Sequence, residues 1–214
     1  MMMRKHFINR DTWLNGRAKQ GIGASEAGAI AGCGFQSRID LWKLKTGRMK
    51  QRDLSGVAEV AEGRRMEEPI REFYKAMHPD VTVNHYPYDI LYQHDRPWLF
   101  ATLDGEIERS GDGGTERGIL EIKNVTPSGK AGWEEWDKRI PDKYYFQILH
   151  QLLATGFRFA VLFAALHGAD GSVTLREYEF RREDVQGDMD YYLTMAAEFW
   201  SYVQNDRMPP MPIG

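Results

Sequence analysis

A single cysteine, Cys33, stands in a chain of 214 residues, so no internal disulfide can form. A reducing cytoplasm is the expected setting. No apolar run approaches the roughly 18 residues that a membrane span requires. The opening Met1-Met2-Met3-Arg4-Lys5-His6-Phe7 has no apolar stretch of the kind that directs export, so secretion is not expected. There is no internal repeat and no low-complexity segment. Neither charge sign dominates, the formal net charge being -3. What remains is 42% hydrophobic and 28% charged, the profile of a soluble globular protein. The length suits one domain over residues 1–214 with a sizeable core.

The small net charge hides an asymmetry. Residues 1–52 hold eleven Lys or Arg against three Asp or Glu, a balance of +8, and residues 53–214 hold seventeen against twenty-eight, a balance of -11. A basic N-terminal region that meets phosphates, followed by carboxylates able to hold a metal, is one reading. A solvated helix face beside an acidic surface is the other.

Helical signals open the chain. Asp11 is placed to cap a first short helix, and Ser25 to cap a second over Glu26 to Ala31 that ends at the glycines around Cys33. Ser37 can cap a third, which Gly47 stops. Residues 1–52 are therefore expected to be a basic helical region. A longer helical pattern covers residues 54–77, with a break or kink at Pro69. The period then changes. Val81 to Tyr92 alternates as strands do, and Trp98 to Ile107 and Arg117 to Lys123 read as two more strands, with a turn at Gly111-Asp112-Gly113-Gly114 between them. Tyr144 to Ala154 returns to helix. Phe159 to Leu166 and Val173 to Phe180 read as a strand pair, and Glu183 to Asn205 as a closing helix. Residues 206–214, rich in proline, are expected to be a loose tail. The order predicts an α/β fold with a central mixed sheet flanked by helices.

Asp104 ends one apolar run, and Glu121-Ile122-Lys123 ends the next. If the two runs pair as a hairpin, these residues converge at one sheet end. Glu121 and Lys123, two apart on a strand, share a face, while Ile122 points into the core and leaves its carbonyl near the acids. Oxygen ligands of this kind suit magnesium or manganese. A cation there polarises a phosphate and acidifies a water, and Lys123 positions that water or stabilises developing charge. An edge strand with a solvated acid–base pair is the plain alternative. Glu67 can reach the same point from its helix, or can pair with Arg64 or Arg71 at helical spacing. Gln147 and Gln151, one turn apart, can orient water or phosphate, or can form an ordinary polar face. His150 has no partner at metal-ligand spacing and reads as structural. Gly21 to Gly28 offers backbone N–H groups and the Ser25 hydroxyl as a phosphate cradle, with Arg17 as a further contact. No strand precedes it, which excludes a dinucleotide fingerprint.

These blocks, in this order, resemble a known family. Trp13 with Arg17, Gly21 to Ala27, Leu41 to Gly47, Gly63 to Pro69, Leu103-Asp104-Gly105, Leu120 to Lys123 and Gln147 to Gly156 are similar to the YqaJ-like viral recombinases, to which phage lambda exonuclease belongs. The resemblance spans roughly residues 11–165. It implies a restriction-endonuclease-like core of the PD-(D/E)XK type. It implies magnesium-dependent cleavage of double-stranded DNA, with manganese as a substitute, commonly 5′-to-3′ from duplex ends during recombination. By position, Asp104, Glu121 and the Ile122 carbonyl would hold metal, with Glu67 helping directly or through water. Lys123 would be the catalytic lysine, Gln147 a supporting residue, and Arg17 and Ser25 contacts of the 5′-phosphate. A single-strand annealing protein as partner, a homotrimer and the cytoplasm of a bacterial host are further implications. A sequence- or structure-preferring endonuclease of the same fold, or a non-catalytic DNA-binding recombination partner, are the alternatives.

Overall fold

The computed structural model describes residues 1–50, 56–111, 114–137 and 139–210. The start of the 54–77 pattern, the middle of the Gly111–Gly114 turn, the end of the basic 1–52 region and the last residues of the tail lie outside them. Residues 206–210 add no helix, and Pro209 is buried.

The elements in chain order are β1 (Met2–His6), α1 (Arg10–Gln20), β2 (Ile22–Gly23), a 3-10 turn (Ala24–Glu26), α2 (Ala27–Ala31), α3 (Arg38–Lys45) and α4 (Ala58–Met77). They continue as β3 (Val81–Asn84), β4 (Asp89–Gln93), β5 (Arg96–Ala101), β6 (Gly105–Gly111), β7 (Gly114–Val125), α5 (Gly129–Glu134) and α6 (Asp142–Thr155). β8 (Phe159–His167), β9 (Val173–Arg181) and α7 (Gln186–Gln204) close the chain. The expected α/β fold is observed. A five-stranded mixed sheet runs in the order β3-β6-β7-β8-β9, and a four-stranded one runs β1-β4-β5-β2. Only the β7–β8 pair in the first sheet and the β2–β5 pair in the second are parallel. Among the described residues no helix is long and apolar enough to cross a membrane.

Both faces of the five-stranded sheet are covered. Ile70 and Tyr74 of α4 pack with Val83, Ile107, Leu120, Ile122 and Phe163 on one side. Ile148, Leu149 and Leu152 of α6, with Tyr192 and Phe199 of α7, pack with Ile119, Ala160 and Leu162 on the other. β8 lies between and is buried from Phe159 to Leu166, which is why its sequence is a continuous apolar run.

Five local expectations are corrected. The N-terminal region is not wholly helical: β1 pairs with β4, tied by Arg4 to Asp89 at 2.7 Å and to Glu106 at 2.5 Å. Asn9, not Asp11, caps α1, its side chain accepting from the Thr12 N–H at 3.0 Å. Ser25 lies inside the 3-10 turn, where the Glu26 carboxylate takes the Gly23 N–H at 2.9 Å and so does the capping itself. The run from Trp98 to Ile107 is two strands in two sheets, β5 and β6, separated by Thr102-Leu103-Asp104. Pro69 sits inside α4, which runs unbroken from Ala58 to Met77. Ser37, Gly47 and Gly156 act as expected: Ser37 caps α3, and the two glycines take positive φ at helix ends.

His150 is structural. It is fully buried on α6, with Nε2 donating to the Phe100 carbonyl at 3.0 Å and Nδ1 accepting from the Tyr192 hydroxyl at 2.7 Å. Burial pushes its imidazole down to about 3. A histidine depressed in this way contributes its full stability above the unfolded value near 6.5 and loses it as the pH falls towards 3. Between pH 7 and pH 5 the loss is about 2 kcal/mol. Carboxyls raised in the fold push the other way, so the difference from His150→Leu isolates the effect. The variant is less stable at pH 7, and the gap narrows by that amount at pH 5, as read by urea denaturation at the two values.

Candidate active site

The site is built where β6 stops and β7 continues. The last β6–β7 pair is Gly105 with Leu120. Beyond it the chain bends at Asp104, whose Oδ2 accepts the Ile122 N–H at 2.8 Å. A side chain thus takes the ladder position that the missing strand residue would have filled. Gly105 lets β6 lie close to its neighbours, since a Cβ there would press on the Val83 and Leu120 side chains at 3.1–3.2 Å. The carbonyl of a strand residue points to the same side as its N–H, so Ile122 offers its oxygen on the Asp104 side. Arg71 of α4 and His85 hold the Asp104 carbonyl at 2.8 and 3.1 Å.

Glu121 and Lys123 project from β7 towards α6, and Ile122 is buried on the opposite side. The Lys123 ammonium donates to Glu121 Oε1 at 2.6 Å and to Gln147 Oε1 at 3.1 Å. Gln147 Nε2 donates to the same Glu121 oxygen at 2.5 Å, and Gln151 Nε2 to Glu121 Oε2 at 2.5 Å. Both Glu121 oxygens are therefore oriented by α6, one turn apart. Gln151, paired with Gln147 by its i, i+4 spacing, faces the acids, and its hold on Glu121 is the part the spacing alone did not specify.

Electrostatics mark the cluster. Burial, with Glu121 and Glu67 nearby, holds the Asp104 carboxyl well above its ordinary range. Burial and Glu121 likewise raise Glu67 on α4. Burial alone would lower Lys123, but Glu121 and Asp104 outweigh it and raise the ammonium. Hydrogen bonds thus join Asp104 to Ile122, and separately join Glu121, Lys123 and Gln147, while Glu67 is within reach of the charges of Glu121 and Asp104. Among the described residues no three His, Cys, Asp or Glu side chains are gathered at metal-holding distances. The donors that could hold a cation are Asp104, Glu121, the Ile122 carbonyl and Glu67, a set of hard oxygens.

A second cluster adjoins the first. Arg17 of α1 donates to the Thr102 hydroxyl at 2.8 Å and lies 3.5 Å from the Ser25 hydroxyl. Its guanidinium stacks on Trp13 at 4.6 Å. Its partner Thr102 lies two residues before Asp104, so Arg17 borders the acid end of the site. Gly23 leaves the space: a Cβ there would meet the Phe100 ring at 3.0 Å. Arg17 and Ser25 are brought together as expected, and Thr102 is an addition.

The YqaJ-like viral recombinase domain family matches residues 12–158. No curated protein matches the chain. Among solved structures, an alkaline exonuclease from Laribacter hongkongensis, LHK-Exo, superposes with a TM-score of 0.64 at 16% identity, over 92% of this chain and 94% of that one. LHK-Exo in complex with dAMP superposes with a TM-score of 0.63 at 15% identity, over 92% and 95%. At this identity the likeness is one of fold.

Proposed function

From the premise that the chain belongs to the YqaJ-like viral recombinase domain family, we propose that it is a metal-dependent deoxyribonuclease that digests duplex DNA from 5′ ends. The observation that carries this reading is Asp104 bonded to the Ile122 N–H at the open end of the β6–β7 ladder, with Glu121 and Lys123, on either side of Ile122, and Gln147 of α6 bonded to one another. Burial, Glu121 and Glu67 oppose the charge on Asp104, a cation would relieve that cost, and the oxygen donors fit Mg2+, with Mn2+ able to substitute. When bound, the cation supplies Lewis acidity towards the phosphate and acidifies an attacking water.

The chain's own residues do the rest. Lys123, held between Glu121 and Gln147, offers a fixed positive charge where negative charge builds on the phosphate. Gln147 and Gln151 keep Glu121 oriented, so little reorganisation is needed during the reaction. Asp104 is held by Ile122, and Glu67 adds a further carboxylate. Arg17 and Ser25 grip the terminal 5′-phosphate, and hydrolysis leaves a 5′-phosphate and a 3′-hydroxyl. A single-strand annealing protein as partner, a homotrimer and a phage or prophage setting in the bacterial cytoplasm belong to the same proposal.

Linear and closed circular duplex, each with Mg2+ or EDTA and with 5′-phosphate or 5′-hydroxyl ends, test it. The expected outcome is Mg2+-dependent loss of linear DNA only, faster from 5′-phosphate. Cutting of the circle would make the protein an endonuclease. DNA binding with no cleavage would make it a non-catalytic partner. Ser25→Ala should bring the rate on phosphorylated ends down to that on hydroxyl ends, with the hydroxyl rate unchanged.

A further inference from the structure

Phe35 is 87% exposed, a large apolar ring left in water. Its loop is nevertheless firmly docked. Gly32 before it takes φ +80°, and a Cβ on Gly34 would lie 2.5 Å from the Ala29 N and 2.7 Å from the Gly28 carbonyl carbon, both backbone atoms of α2. The tight approach of two backbones holds the loop and presents the ring at a set position.

A chain of cation–aromatic contacts links that ring to the candidate active site. The Lys143 ammonium lies 4.2 Å from the Phe35 ring centre and 5.1 Å from the Tyr144 ring. The Lys123 ammonium lies 4.8 Å from the same Tyr144 ring. Phe35, Lys143, Tyr144 and Lys123 therefore alternate ring and ammonium from the surface inwards. A strand of nucleic acid alternates flat bases and phosphates in the same way. Sequence-tolerant single-strand binding uses these two elements, an aromatic face for each base and a cation for each phosphate.

We propose that Phe35 is a stacking platform for an unpaired base of the DNA strand whose phosphate lies at Lys123, with Lys143 contacting the adjoining phosphate. The inference rests on the nuclease reading above and adds a base-binding site to it. Phe35 favours a base freed from the duplex, because a base stacked on both faces cannot lie on the ring. It does not select sequence, since every base has a π-face.

The test uses duplex carrying 2-aminopurine in a frayed 5′-phosphorylated end, titrated with the full chain in EDTA. Wild type should quench the fluorophore as the base stacks. Phe35→Ala should bind about tenfold more weakly and leave the fluorescence high. Phe35→Leu should match Phe35→Ala, because it keeps apolar bulk and lacks a ring, while Phe35→Trp should restore quenching. The salt dependence of binding should be the same in all, since no charge changes. Equal affinity and equal quenching by wild type and Phe35→Ala would overturn the platform and leave the nuclease reading standing. Failure of wild type to bind DNA at all would overturn both.

Discussion

Replacing Lys123 with alanine should leave DNA binding intact and slow phosphodiester cleavage by about a thousandfold. The ammonium sits within hydrogen-bond reach of Glu121 and Gln147 and beside the Asp104 carboxylate, and its side chain is only 16% exposed. It is therefore a preorganised charge, and such a charge acts on the transition state more strongly than one that must be recruited from water. Binding of the duplex draws on many contacts and should not depend on this one group. The measurement is single-turnover cleavage at saturating Mg2+, with affinity read separately in EDTA. Lys123→Arg should not rescue the rate, because a planar fork cannot occupy a site shaped for a compact ammonium. Cleavage by Lys123→Ala at close to the normal rate would remove Lys123 from the chemistry. Loss of binding together with cleavage would show a damaged fold instead.

The site was more legible in the sequence than the sheets around it, for a physical reason. Glu121 and Lys123 declare a shared face by strand periodicity alone, and Gln147 is on the helix that covers that face. Asp104 marked the end of an apolar run, but the change of sheet between β5 and β6 was not legible. The apolar residues from Leu99 to Leu103 read straight through it, and what stops the strand is the distant Ile122 N–H taken by the Asp104 carboxylate. β1 was hidden in the same way. Met-Met-Arg-Lys-His shows no useful alternation, and the strand is held by pairing with β4 and by Arg4 reaching Asp89 and Glu106. Local caps divided along similar lines. Ser37 was readable because its partner, Asp40, is three residues away, whereas Ser25 lost its capping role to Glu26, which Lys45 also holds at 2.7 Å.

Asp104→Asn should abolish Mg2+-dependent cleavage and, in EDTA, raise thermal stability. Asp104 carries its charge at a cost: burial and the charges of Glu121 and Glu67 all oppose ionisation. Asparagine keeps an oxygen that can accept the Ile122 N–H, now made by Asp104 at 2.8 Å, and removes the negative charge. About 1 kcal/mol of relieved repulsion corresponds to a rise of roughly 2–4 °C in melting temperature for a chain of this size. Added Mg2+ should stabilise wild type by mass action as the cation binds the folded state, and should stabilise Asp104→Asn far less. Differential scanning fluorimetry with EDTA and with millimolar Mg2+ measures both effects in one experiment. Glu121→Gln should lose activity as well, but without the rise in EDTA. Its carboxylate already has Lys123, Gln147 and Gln151 as hydrogen-bond donors, and a glutamine amide would turn a donor towards one of them. The two acids thus divide the work. Glu121 has three side-chain donors and Asp104 only the Ile122 N–H, so on the proposed function it is Asp104 that would depend on a cation. An inactive Asp104→Asn that melts below wild type in EDTA would show that Asp104 serves the fold before it serves any metal.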